Sequence, residues 1–330
     1  MRRTRASQPP PPSVVSASAV DDFQQRQLLA RVAWMYFVEG RRQEDIATKL
    51  QLNRMRVNRL LIAAREQGIV RIEIDPTARP IAELEAQLVD RYGLRRALIV
   101  PTGEHAAQTF VGIGVTLGGW LNATIRNGMT VGTHRGQSCY SMFQGLKPSA
   151  LPDVSVVSLQ GDFTSTGQVL PQEVVARLAV TFGASCHYLA APTYASSLNE
   201  WRVLTGLPMV HSVLVRAQKC DLAVLSPGAL VDSQKRILKH VMTDHELAEV
   251  RAAGGVGSLL GAIYDREGRL IKHEINARRI GLDPSALAQV PEVTVVGIGA
   301  HKVEILRVAL KLGWTKTLIT DEVTARAILL

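Results

Sequence analysis

Beyond residue 95, short runs of β-branched and aliphatic residues recur at intervals: 95–100 (RRALIV), 129–133 (MTVGT), 154–159 (VSVVSL), 185–191 (SCHYLAA), 222–226 (LAVLS), 293–299 (VTVVGIG) and 317–320 (TLIT). Most are separated by helix-length segments such as 171–182 and 301–312. Parallel strands need long crossovers, usually helical, so this alternation predicts an α/β domain with a mainly parallel sheet. Such sheets bind ligands beyond the carboxyl ends of their strands.

The first 75 residues have a different texture. Ile46, Ala47 and Leu50 keep helical spacing, Leu52 and Asn53 interrupt it, and Val57, Leu60, Leu61 and Ala64 resume it. This predicts two short helices joined by a tight turn. The second would bury its apolar face and present Asn53, Arg54, Arg56, Asn58 and Arg59. Arg pairs with guanine and Asn with adenine in the major groove, so this pattern suits a DNA-reading helix. An earlier helix, capped by Asp21 or Asp22, is expected to run from Phe23 to Phe37 and stop at Gly40. After Gly68, the alternation in residues 69–75 (IVRIEID) predicts a half-buried strand that could form a wing.

At 330 residues and 46% hydrophobic, the chain is long enough for two domains with real cores. Its formal charge is +9, and residues 1–75 hold 13 Lys/Arg against 8 Asp/Glu, while the rest hold 25 against 21. Positive charge is therefore concentrated where phosphates would be met, although a basic soluble surface would look the same. Cys139, Cys186 and Cys220 stand far apart, as expected for reduced, mostly buried thiols. No apolar run approaches a membrane span, no close metal-ligand set appears, and neither membrane, metal nor cofactor is expected. The expected organisation is a disordered tail at 1–20, a helix-turn-helix domain at 21–75, a linker helix at 76–94 and an effector domain at 95–330. Ile81, Leu84, Leu88 and Tyr92 form a stripe in that linker, which could pair with a second copy or pack on its own domain.

Two places could carry chemistry. A strand ending at Gly132 leads into Thr133-His134-Arg135-Gly136-Gln137-Ser138 and then a helix. Glycine backbone, free N–H groups at a helix start, and donors from His134, Arg135 or Ser138 would suit a phosphate, though many α/β turns are built this way. Near the end of the chain, Lys302 stands in the first turn of a helix, where a cation is unfavourable unless an anion is bound. Asp321 could accept hydrogen bonds from sugar hydroxyls or cap the last helix, and capping is the better single reading.

Taken together, these features resemble the SorC family of bacterial transcriptional regulators, over residues 23–330. In the reader the resemblance rests on Gln43, Ile46-Ala47, Leu50, Asn53-Arg54, Val57, Arg59-Leu60-Leu61 and Ala64 to Val70. Beyond it, the resemblance rests on Val131-Gly132, Gly136, Ala190-Ala191-Pro192, Gly255-Val256-Gly257, Asp265, Gly268, Asn276, Ile280-Gly281, Lys302 and Leu318 to Glu322. It implies a winged helix-turn-helix domain joined to an α/β domain like ribose-5-phosphate isomerase and glucosamine-6-phosphate deaminase. It also implies a homo-oligomer, dimer or tetramer, that senses a phosphorylated sugar or polyol. By position, Gln43 joins the DNA-contacting set, Gly132 to Ser138 become the phosphate loop, and Lys302 and Asp321 become effector contacts.

Three departures stand out. The family's loop commonly reads G-x-S-W-G-x-T, and here Arg135 replaces the Trp and Ser138 the Thr. A strand that often ends VGIG reads Leu225-Ser226-Pro227-Gly228, and Ser258 stands where Asp is common. Gln51 occupies a turn position that favours positive φ and usually carries glycine. The expected function is a cytoplasmic regulator of carbohydrate or polyol metabolism that binds double-stranded operator DNA under effector control. The competing reading is a sugar-phosphate isomerase or deaminase using Lys302 and Asp321 as an acid–base pair.

Overall fold

Strands buried on both faces read as continuous apolar runs, and they need helices on either side to cover them. The computed structural model describes residues 17–70, 79–162, 174–231 and 242–330, and its contacts divide the chain into two compact units, Met1–Asp75 and Pro76–Leu330.

In the larger unit all seven expected runs become strands of one parallel sheet: β1 (Arg96–Val100), β2 (Thr130–Thr133), β3 (Ser155–Ser158), β4 (Ser185–His187), β5 (Leu222–Leu225), β9 (Glu292–Val296) and β10 (Thr317–Asp321). Their order is β1-β10-β9-β5-β2-β3-β4. Alternate residues face opposite cores. Ala97, Ile99, Val157, Ala223, Leu225, Val293 and Val295 belong to one buried cluster, and Val100, Val156, Leu222, Val224, Val296 and Ile319 to the other. The first is covered by helices that include Pro208–Ala217, Val303–Lys311 and Glu322–Leu329, the second by Ala106–Thr124 and Val175–Phe182. A three-strand antiparallel sheet of β6 (Gly228–Ala229), β7 (Gly257–Leu259) and β8 (Ala262–Tyr264) was not expected. The Asp265–Arg269 turn closes the chain after β8: Asp265 Oδ1 accepts from the backbone N–H groups of Glu267 at 3.0 Å and Arg269 at 2.8 Å. Asn276 accepts from Ile263 N at 2.8 Å and donates to the carbonyls of Ile263 and Ile271. Two residues of the family pattern thus serve as fold latches.

The linker stripe lies on the helix Arg79–Tyr92, where Leu84 and Leu88 are buried in the first cluster and Ile81 and Tyr92 pack against it. Full burial of one leucine contributes ~1.5–3 kcal/mol, so this face is committed to its own domain. Glu85 Oε1 accepts from Ile99 N at 2.9 Å, satisfying a donor on the sheet's edge strand, and the Tyr92 hydroxyl donates to Ile328 O at 3.3 Å.

Among the described residues the smaller unit holds three helices: α1 (Ala17–Phe37), α2 (Gln43–Leu50) and α3 (Arg54–Glu66). Val32 and Met35 of α1, Ile46 and Ala47 of α2, and Val57 and Leu61 of α3 form its core. Helix α1 begins at Ala17, so Asp21 and Asp22 lie within it instead of capping it, and residues 17–20 are helical where a tail was expected. Of the expected wing strand, Ile69 and Val70 form a bend, and residues 71–75 lie outside the described residues. Gln51 adopts the left-handed conformation, φ 53°, that lets α2 end and the chain turn into α3. A side chain there costs ~1–2 kcal/mol against glycine's freer backbone. Gln51→Gly is expected to stabilise the smaller unit by ~0.5–1 kcal/mol after the entropic cost of glycine is offset. Urea unfolding followed on that unit reads this directly, and an unchanged or lower midpoint counts against strain at Gln51.

Candidate functional site

The connection pattern marks one place on the sheet. From β2 the chain moves outward through β3 to β4, then returns to β5 and moves the other way through β9 to β10. The connections that follow neighbours β2 and β5 therefore leave in opposite directions, and the region beyond the carboxyl ends at such a switch point is the usual ligand position in sheets of this kind.

Three loops meet there. After β2 come His134, Arg135 and Gly136, with Gly136 at φ 147°, a conformation that glycine accommodates and side chains resist. After β5 come Ser226 and Pro227. After β9 a turn of 3-10 helix, Ala300–Lys302, places Lys302 at the start of the helix Val303–Lys311. The Lys302 ammonium donates to Ser226 Oγ at 2.9 Å and to Ser138 Oγ at 3.3 Å. One cation is thus tied to hydroxyls from two other loops. Burial lowers its pKa to about 8, so it is charged at neutral pH with little to spare.

His134 is 5% exposed and takes a different part from the one expected. Its Nε2 accepts from the backbone N–H of Ser226 at 3.1 Å, which clamps the β2 loop to the β5 loop. That bond requires a lone pair on Nε2 and places the proton of the neutral ring on Nδ1, which is buried without a hydrogen-bond partner. Burial, together with the positive Arg135 and Lys302, pushes its pKa down to about 3. His134 is therefore neutral and brings no charge to an anion.

Arg135 is also engaged within the protein. Its Nε lies 3.4 Å from Asp162 Oδ1, with the two side chains 13% and 3% exposed. Burial lowers the Arg135 pKa, while Asp162, Tyr194 and Tyr188 work in the opposite direction. Asp162 has no motif around it in the sequence, and Ser226 is visible there only as a departure from the family pattern.

Other expected residues separate from this group. A Cβ on Gly132 would stand 2.5 Å from Leu159 Cδ2, so its bareness serves packing between β2 and the end of β3. The helix expected after the loop is a single turn, Gln137–Tyr140, running into 3-10 turn Ser141–Gln144, too short for a strong helix dipole. Gln137 is exposed and Ser138 buried. Asp321 caps the helix Glu322–Leu329: its Oδ2 accepts from Thr102 Oγ1 at 2.7 Å and Thr324 N at 3.4 Å, and its Oδ1 from the Thr324 hydroxyl. Both carboxylate oxygens are occupied, as the capping reading anticipates. Cys139 and Cys220 are buried thiols with pKa values raised to about 12, whereas Cys186 is exposed. Among the described residues no helix is long and apolar enough to cross a membrane.

In the smaller unit, Asn53 caps α3, its Oδ1 accepting from Arg56 N at 2.8 Å. That leaves its amide N–H₂ as the part able to reach a ligand. Arg54 donates to Glu44 Oε1 at 3.2 Å, with both side chains about 70% exposed. Such an exposed pair contributes ~0–1 kcal/mol and yields readily to another partner. Arg56, Asn58 and Arg59 are exposed along the same helix, and Gln43 is half-buried at the first position of α2.

Comparison with known proteins places these features in a family. The Sugar-bind family, a sugar-binding domain, matches residues 78–330. The erythritol catabolism regulatory protein EryD of Brucella abortus is 28% identical over 306 residues, spanning 92% of this chain and 96% of that protein. The transcriptional regulator LsrR of Klebsiella pneumoniae is 29% identical over 317 residues, spanning 92% and 93%. The full-length sorbitol operon regulator SorC from Klebsiella pneumoniae shares the fold, with a TM-score of 0.71 at 20% identity over 93% of this chain and 100% of that one. With the family match running over residues 78–330, this chain belongs to the Sugar-bind family.

Proposed function

We propose that this protein binds operator DNA through α3 and that a phosphorylated sugar or polyol, held where the β2, β5 and β9 loops meet, modulates that binding. The observation that carries this reading is Lys302: a half-buried lysine at a topological switch point, its ammonium joined to two serine hydroxyls that could follow it onto a phosphate. The names of two similar proteins, an erythritol catabolism regulatory protein and a sorbitol operon regulator, support a polyol-related effector. Asp321, the partner of Lys302 in the enzyme reading, has both oxygens accepting from Thr102 and Thr324, which supports the regulator reading over it. An effector can shift operator binding only if it favours one of two arrangements of the regulator, so its affinity must differ with DNA bound.

In the DNA-reading unit, Arg54→Ala and Arg56→Ala are each expected to weaken a specific operator complex by ~1–3 kcal/mol where the side chain pairs with a base. Fluorescence anisotropy at fixed salt measures this. Wild-type affinity in both variants would remove α3 from the interface.

At the effector site the sign of the pH dependence follows from Lys302. Its folded pKa of about 8 lies below the unfolded value near ~10.4, so between these limits the unfolded chain holds more protons. The burial penalty is present below about pH 8 and relieved as pH rises through this window. Phosphate-ester affinity is expected to fall from pH 7 to 9 in calorimetric titrations, as the ammonium loses its proton. Lys302→Met should flatten that profile, abolish phosphate-ester binding and stabilise the ligand-free protein by on the order of 1 kcal/mol. Retained, pH-dependent binding in this variant would move the anion site elsewhere.

A further inference from the structure

The helix Glu322–Leu329 is held by the Lys302 loop at its first turn and by the linker helix Arg79–Tyr92 at its last. We propose that it acts as a connecting rod, passing a shift of the Lys302 loop to the linker helix, which follows the smaller unit in the chain. This rests on the reading of Lys302 as the effector contact.

At the first turn, the bonds run from the lysine itself. The Lys302 backbone N–H donates to Gly299 O at 2.9 Å, and the Gly299 N–H donates to Thr324 Oγ1 at 2.8 Å. Thr324 is buried, and its single hydroxyl proton goes to Asp321 Oδ1, which leaves its lone pairs free to receive Gly299. Gly299 has φ 95°, and a Cβ there would stand 2.8 Å from the His301 ring, so this path through the loop depends on glycine. Thr102 completes the anchor, donating to Asp321 Oδ2 and accepting from Val323 N at 3.1 Å. The loop and the first turn therefore move together, since separating them would leave buried polar groups unpaired.

At the last turn, a helix leaves its final four carbonyls without intrahelical donors. Side chains supply them here. Arg307 donates to Ala327 O and, at 3.2 Å, to Ile328 O; the Tyr92 hydroxyl donates to Ile328 O at 3.3 Å; and Arg91 donates to Leu329 O. Arg307 stands on Val303–Lys311, the helix that Lys302 begins, whereas Arg91 and Tyr92 form the end of the linker helix. Both arginines face the negative end of the rod's dipole. Beneath this polar grip, Ile328 and Leu88 are fully buried in the same apolar cluster.

Both ends of the rod, about 12 Å apart for eight residues, thus follow Lys302: one through Gly299 and the other through Arg307. Close-packed helices transmit strain instead of absorbing it. An anion that draws Lys302 away from Ser138 and Ser226 fixes the loop, and with it the surface on which the linker helix is seated. The linker helix is then biased from a released last turn toward a gripped one, and a two-position element of this kind is what coupling between sites requires.

Hydrogen–deuterium exchange on the full-length protein reads both ends at once, with inorganic phosphate as the probe against chloride at equal ionic strength. In the wild type, phosphate is expected to slow exchange at least ~twofold in peptides covering 299–307 and also in those covering 84–92. Arg91→Ala combined with Tyr92→Phe removes the linker helix's hydrogen bonds to the rod and leaves the Lys302 loop untouched. Calorimetric phosphate affinity should then stay within about twofold and 299–307 should still slow, while 84–92 no longer responds. If that variant does not fold, Arg307→Gln cuts the grip from the other helix and should give the same split. A wild type that slows at 299–307 alone overturns the rod, as does a variant in which 84–92 still responds. A variant that loses phosphate affinity together with the response shows a merely structural role and also overturns it. If phosphate slows neither segment of the wild type, the phosphate reading fails and the rod falls with it.

Discussion

A lysine ammonium half-withdrawn from water is costly unless something nearby repays the lost hydration. In this protein the repayment comes from two serine hydroxyls on different loops, so Lys302 joins the β9 loop to those of β5 and β2. The His134 clamp lies in the same place and joins β2 to β5 through the Ser226 backbone. Ser226 is therefore held twice, by its N–H and by its hydroxyl. The geometry of the crevice depends on these few polar contacts standing over two apolar layers that fix where the strands end.

The parallel sheet was legible in the sequence because strands covered on both faces must be apolar at nearly every position, and runs such as LAVLS and VTVVGIG carry that mark. The small sheet was not, since its strands are two or three residues long and rich in glycine, and pairing such as Gly228 with Ser258 depends on tertiary placement. The linker stripe was visible, but periodicity alone does not say what a helix packs against; the first apolar cluster supplies that answer for Leu84 and Leu88. Helix ends were less certain: α1 passes through both acidic residues expected to cap it.

Within the candidate site, the residues with chemistry were visible, Ser138 among them, while the roles of Ser226 and Asp162 were not. Lys302 was conspicuous because a cation at a helix start needs a reason. Ser226 and Asp162 stand 76 and 140 positions from it, and only the strand order brings their loops to one side of the sheet. The missing side chain of Gly132 makes room for Leu159, a packing cause the sequence did not reveal. Asn53 and Asp321 show a related ambiguity, since a side chain that can bind a ligand can equally satisfy a helix's first amides, and both do.

The pairing of Lys302 with Ser138 and Ser226 has a consequence for how tightly any anion can be held. The ammonium is never bare, so an arriving phosphate exchanges one set of hydrogen bonds for another and gains only the difference. A pre-satisfied charge of this kind would hold an anion less tightly than a bare one. For a sensor, a site that empties as readily as it fills reports the present state of the cell, whereas a bare cation would keep a record of the past.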